Sequence, residues 1–174
     1  MDVEKTLIVA AAPERLWAEL LDPQAMAACV PGLQSVEVVS DTEYVAHIRV
    51  KISFISAKFR VRTRVVEMCA PSYLKSESTG EDRSVASSLK SVSEVFLTQQ
   101  GSGQTELRVK VKAELLGRLG TFGLNVMKTK ADLMWEEFAR NLIARLAEPS
   151  DPAPANQTET TSSSSLTTSP PASN

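Results

Sequence analysis

The sequence predicts an α+β domain, an antiparallel sheet dry on one face with helices near its start and at its end. Three observations carry this reading. Several segments alternate apolar and polar residues with a period of two, a helical stretch bounded by prolines precedes them, and a long stripe with apolar spacings of three and four follows them.

Val3 to Val9 reads as a short strand. Pro13 suits the first position of a helix, and Glu14 beside it favours the positive end of the helix dipole. In PERLWAELL, Leu16, Trp17, Leu20 and Leu21 share one helical face. Asp22-Pro23 ends that helix and begins a second short one, which Pro31-Gly32 stops in a turn. Ile48, Val50, Ile52 and Phe54 then alternate with His47, Arg49, Lys51 and Ser53. Phe59, Val61 and Val65 alternate with Lys58, Arg60, Arg62 and Arg64, and Leu107, Val109, Val111, Ala113 and Leu115 alternate with charged neighbours. Such one-sided alternation belongs to a sheet covered on a single face. Leu74 to Thr79 and Val85 to Leu97 are weaker strands, and Gly101-Ser102-Gly103 is a turn. The final helix carries Met127, Ala131, Met134, Trp135, Phe138, Leu142 and Leu146 as one stripe, suited to lie across a curved sheet.

The chain has 174 residues, 43% of them apolar and 23% charged, with a formal net charge of −2. That is enough apolar material for one domain over residues 1–148. Residues 149–174 read differently: Pro, Ser and Thr fill most positions and Leu166 is the one large apolar residue, so this tail is expected to be disordered. No apolar run reaches the roughly 18 residues of a membrane span. MDVEKTLIV has acids where a secretory signal has a basic region, so the expected location is the cytoplasm. Cys29 and Cys69 lack the spacing of a disulfide framework. Without a large cationic excess, strong non-specific nucleic-acid binding is not expected.

A search for catalytic chemistry returns little. The single histidine, His47, falls on the wet side of its strand, and no Cys pair, GxSxG or phosphate-cradling glycine loop is present. A pocket has indirect support instead. Ser76 and Ser78, and Ser87, Ser91 and Ser93, occupy positions where a packed core carries Val, Ile or Leu, opposite a helix with Met127, Met134 and Trp135. Either these small residues leave a pocket of about 300–1,000 Å³, or the strands are offset by one residue and the serines face water. Gly117, Gly120 and Gly123 provide either close packing of the last helix or a movable lip. Leu119, Phe122, Val126 and Leu133, with Arg118, Thr129 and Lys130 beside them, form an apolar and cationic patch on the far side of the last helix. That patch is either a docking surface or is covered by a loop. Arg49, Lys51, Lys58, Arg60, Arg62 and Arg64 all point outward from one hairpin, as a solvated face or as a surface that steers toward an acidic partner.

The stretches APERLWAELLDPQAMAACVPG at 12–32, KISFISAKFRVRTRVVE at 51–67 and AELLGRLGTFGLNVM at 113–127 resemble the G-subunit family of carbon monoxide dehydrogenase, within the START-like, helix-grip superfamily. The resemblance implies a curved seven-stranded antiparallel sheet, two short helices, and a long C-terminal helix enclosing an apolar cavity. It also implies a non-enzymatic accessory role beside a molybdenum hydroxylase of the carbon monoxide dehydrogenase type, with a bound quinone- or lipid-like molecule and peripheral membrane contact. No metal or catalytic residue is expected. Phe54, Phe59, Val109, Val111, Leu115, Met127, Met134 and Trp135 are the residues expected to line the cavity, and Leu119, Phe122, Val126, Leu133, Arg60 and Arg62 those expected to dock on a membrane or partner. An assembly or recruitment factor without ligand transfer is the alternative. A cyclase or aromatase, known on this superfamily, would need an acid in the cavity, and Glu94 is the candidate.

Overall fold

Strand β4 (Ile55–Cys69) shows most plainly how the alternation becomes a sheet. Ile55, Ala57, Phe59, Val61 and Thr63 are buried, while Ser56, Lys58, Arg60, Arg62 and Arg64 between them are exposed. The computed structural model describes residues 1–149, so the tail predicted from 149 onward lies outside the described residues save for Pro149. Around β4 the elements run β1 (Asp2–Val9), α1 (Pro13–Leu21), α2 (Pro23–Cys29), β2 (Leu33–Ser40), β3 (Glu43–Ile52), then β5 (Tyr73–Asp82), β6 (Ser87–Gln99) and β7 (Thr105–Gly117). A 3-10 turn (Leu119–Phe122) leads into α3 (Leu124–Ala147). The seven strands form one antiparallel sheet in the order β1-β7-β6-β5-β4-β3-β2, with β1 and β2 at its edges.

The local signals act as their chemistry dictates. Pro13 opens α1, and the Asp22 side chain caps α2 by accepting the Gln24 N–H at 2.8 Å. Leu16 and Trp17 are buried, whereas Leu21, expected on the same face, is exposed where α1 ends at Asp22. The apolar face of α3 keeps the predicted stripe, with Leu142 and Leu146 buried deepest. Its C-terminal half is tied down by polar links: Arg145 Nε donates to Glu19 at 2.5 Å, and Asn141 Nδ2 donates to the Cys29 carbonyl at 3.1 Å.

Three boundaries differ from the sequence reading. Val85 sits in the β5–β6 turn and not in a strand. Phe54 belongs with Ser53 to the tight β3–β4 turn, because Ile52 and Ile55 are directly paired. Leu119 and Phe122 precede α3, since Gly123, at φ +87°, breaks the chain direction between the 3-10 turn and the helix.

On the face turned away from α3, charges alternate across strands. Glu67, Lys75, Glu94, Lys110 and Glu4 stand in register on β4, β5, β6, β7 and β1. Opposite charges in neighbouring cross-strand positions each contribute a few tenths of a kcal/mol, about 0.2–1. Arg62 meets Glu43 at 3.1 Å and Arg64 meets Glu77 at 3.8 Å, so part of the cationic run on β4 is neutralised by β3 and β5.

Candidate functional site

The interior between sheet and α3 is buried at both ends and partly accessible in the middle. At one end, Val9, Leu16, Trp17, Leu97, Leu107, Leu142 and Leu146 form a buried cluster with α1. At the other, Ile52, Ile55, Ala57, Phe59, Val61 and Leu119 form a second. Between them Val65, Ser78, Ser91, Ser93, Val111 and Ala113 face the helix by register, and Ala131 and Met134 face the sheet, yet all keep accessible surface. Side chains meeting across a filled core lose nearly all of theirs. This accessible band, small and partly polar on the sheet side, is the candidate groove between sheet and helix.

The polar groups in this middle band are few. Thr63 Oγ1 and Ser78 Oγ share a hydrogen bond at 2.8 Å, while Ser91 and Ser93 present hydroxyls to the groove. Lys5 is the addition that the structure makes plain. In β1 it lies on the face of Val3, Leu7 and Val9, paired with Val109, so its stem points inward. Its ammonium lies 2.5 Å from the Asp132 carboxylate of α3 and spans the gap between the sheet's edge and the helix. The period-two pattern of β1 carries that signal, since Val3, Lys5, Leu7 and Val9 alternate with Glu4, Thr6 and Ile8.

One end of the groove is closed by a buried carboxylate. Asp82 is 5% exposed and accepts from the Ser84 N–H at 2.8 Å, the Ser84 hydroxyl at 2.6 Å and the Lys58 N–H. Burial pushes its carboxyl upward, but the Ser84 hydroxyl and the backbone N–H groups outweigh this and hold it below the usual range. In the same turn Ser87 Oγ donates to the Val85 carbonyl and accepts the Leu119 N–H at 3.0 Å, which fixes the 3-10 turn over the second cluster. Gly117 and Gly120 serve this packing: a Cβ on either would stand 2.0 Å from the Ala86 carbonyl oxygen and 2.4 Å from that of Leu115, respectively.

The expected lining residues are dispersed around the groove. Val111 and Met134 border its middle, Val109 and Trp135 lie against the first cluster, and Phe59, Leu115 and Met127 belong to or pack on the second. Phe54 does not line the interior: it is 76% exposed at the β3–β4 turn, with its ring edge-on to Phe122 at 5.8 Å. The expected docking set changes as well. Leu119 is fully buried and offers no surface, Phe122 is partly buried, and Val126 and Leu133 are exposed on α3. Arg62 is engaged by Glu43, and Arg60 stands opposite Glu81 of β5. Glu94 lies on the outer face, where it accepts the Tyr73 hydroxyl at 2.8 Å and so pushes that phenol up to about 12. It is therefore not an acid in the groove. Two hollows of about 390 and 320 Å³ open beside β1, β6 and β7 among Lys112, Val92 and Asp2, on the charged face away from α3.

Solved structures share this architecture. A conserved protein from Geobacillus kaustophilus superposes with a TM-score of 0.78 at 20% identity, covering 84% of this chain and 95% of that one. A START superfamily protein from Mycobacterium smegmatis gives 0.64 at 16% identity over 83% and 95% of the two chains. The Zhui aromatase/cyclase from Streptomyces sp. R1128 gives 0.63 at 14% identity, over 83% and 92%. These likenesses establish the START-like fold and no activity. No curated protein matches the chain. The family model for the carbon monoxide dehydrogenase G subunit (CoxG) matches residues 6–147, nearly all of the described fold, and the chain belongs to that family.

Proposed function

We propose that this protein is a non-enzymatic accessory factor of a molybdenum hydroxylase of the carbon monoxide dehydrogenase type. It holds an apolar, quinone- or lipid-like molecule between the sheet and α3 and links the enzyme to the membrane. Family membership supports the accessory role. The observation that carries the ligand reading is the accessible band between two buried clusters, where Ser91, Ser93 and Ala113 occupy positions a packed core fills with larger residues. An apolar body gains about 25 cal/mol per Å² removed from water on entering such a groove. Hydroxyls and the Lys5 ammonium beside it suit a head that carries oxygen acceptors.

Native mass spectrometry of the full chain, followed by solvent extraction, tests this reading. A stoichiometric quinone or lipid on the purified protein, or uptake of added quinone, is the expected result. A protein that emerges empty and refuses added quinone overturns the carrier reading and leaves recruitment of the enzyme as the function, with the unpaired cations near the β3–β4 turn as its first candidate surface.

A further inference from the structure

The two longest acid-free stretches of this chain are residues 44–66 and residues 115–131. Together they hold Arg49, Lys51, Lys58, Arg60, Arg62, Arg64, Arg118, Lys128 and Lys130, in a protein of net charge −2. The fold brings parts of the two segments together, because Phe54 of the β3–β4 turn packs on Phe122 before α3. The sheet neutralises Arg62 and Arg64 and sets Arg60 opposite Glu81. Arg49, Lys51, Lys58, Arg118, Lys128 and Lys130 remain, and among the described residues none has a carboxylate within 4.0 Å.

Within these cations sits an apolar tip. Phe54 is 76% exposed, and Leu124 is 53% exposed although it continues the stripe of Met127 and Ala131. An exposed Phe at the end of a tight turn is a protrusion, not a socket. A fluid lipid surface accommodates a protrusion without a matching pocket, and its phosphates complement unpaired cations. Phe122, which touches Phe54, lies two residues before α3 begins, and among the described residues the helix's side-chain polar links to the rest of the fold all lie at Asp132 or beyond.

We propose that the β3–β4 turn and the start of α3 form a docking surface for an anionic lipid bilayer. The contact is end-on: Phe54 and Leu124 enter the headgroup region, while Arg49, Lys51 and Lys58 on the outer sheet face and Arg118 and Lys128 on the helix side flank them toward the phosphates. This deepens the membrane-linking part of the reading above by assigning it a surface. Its readout is vesicle binding and not ligand retention, so either proposal can fail alone.

The test is co-sedimentation of the full-length protein with phosphatidylcholine vesicles, with and without phosphatidylglycerol. Wild type is expected to sediment with the anionic vesicles, to stay in solution with phosphatidylcholine alone, and to be released by salt. Each Lys or Arg near such a surface carries roughly a fivefold factor in partitioning, so Lys51→Ser with Lys58→Ser is expected to lower binding about 25-fold. Phe54→Asp is expected to lower it at least about tenfold, while Ile143→Asp, at an exposed apolar site elsewhere on α3, leaves it unchanged. Circular dichroism confirms that each variant folds. Wild type that ignores anionic vesicles, or Phe54→Asp that binds as wild type does, overturns the proposal. Loss of hydroxylase capture by these same variants without any vesicle binding assigns the surface to a protein instead.

Discussion

The Lys5 ammonium and the Asp132 carboxylate lie 2.5 Å apart, and among the described residues they form the one ion pair joining edge strand β1 to helix α3. Both side chains keep contact with solvent, at 27% and 55% exposure, so the pair adds little to stability, below about 1 kcal/mol. Its position matters more than its strength. An ammonium has three donors, and Asp132 uses one, so a ligand oxygen beside Val109 finds another free. Lys5→Met is expected to unfold within about 1 kcal/mol of wild type and to bind a quinone about five- to tenfold more weakly. An isoprenoid hydrocarbon without oxygens is expected to bind both proteins equally. Quenching of Trp135 fluorescence by added quinone, in a Trp17→Phe background, reads the difference. Equal weakening for both ligands would show that Lys5 shapes the groove without touching the head group.

Filling the groove separates open space from a close-packed interior. Ser93 pairs with Ser76 and Val111 on the inner face and retains accessible surface there. Where space is free, Ser93→Leu buries apolar atoms without strain and is expected to raise stability by about 1 kcal/mol. The same substitution is expected to abolish ligand uptake by occupying the site. In a packed core it would cost about 1–3 kcal/mol. Urea denaturation midpoints distinguish the two, and a clear loss of stability would remove the physical basis of the ligand reading.

Leu119 shows how burial reassigns a residue. As a surface anchor, its truncation would change stability by less than about 0.5 kcal/mol and weaken docking. Fully buried as the first residue of the 3-10 turn and a member of the second cluster, it is expected to cost about 3–4 kcal/mol as Leu119→Ala. Thermal unfolding of the variant checks this, with vesicle binding of the surviving folded fraction unchanged.

Much of the fold is legible in residue order because period-two alternation and proline positions are local. β4 follows its pattern residue by residue, and Pro13 and Asp22 act as their chemistry requires. What escapes is set by partners distant in sequence. The cations of β4 look unopposed along the chain, yet register brings Glu43 and Glu77 against them. Phe54 continues an alternating series on paper, but the direct pairing of Ile52 with Ile55 places it in the turn. Glu94 is ambiguous along the chain for the same reason, since the one-residue offset that decides its face depends on pairing with Lys75 and Lys110. Lys5 is legible from the alternation of β1, and only its partner on α3 requires the fold.

Asp82 carries a pH dependence whose direction follows from its surroundings. The hydrogen bonds from Ser84 and from backbone N–H groups of Lys58, Ser84 and Val85 favour the carboxylate, and they prevail over the opposing effect of burial. Its folded-state value therefore lies below the value of about 3.9 for an unfolded chain. The native state binds fewer protons than the unfolded state between those two values, so the stability this group contributes is fully present above about pH 5. It is lost as pH falls through the folded value. Asp82→Asn keeps one acceptor but sets an amide against the Lys58 N–H, and is expected to cost about 1.5–3 kcal/mol at neutral pH. Below about pH 4 the wild-type and variant curves are expected to converge, because the wild-type carboxylate is then increasingly protonated. Urea unfolding across roughly pH 2.5–7 measures both curves. A variant that loses the same stability at every pH would place the cost in the shape of the turn and not in the charge of Asp82.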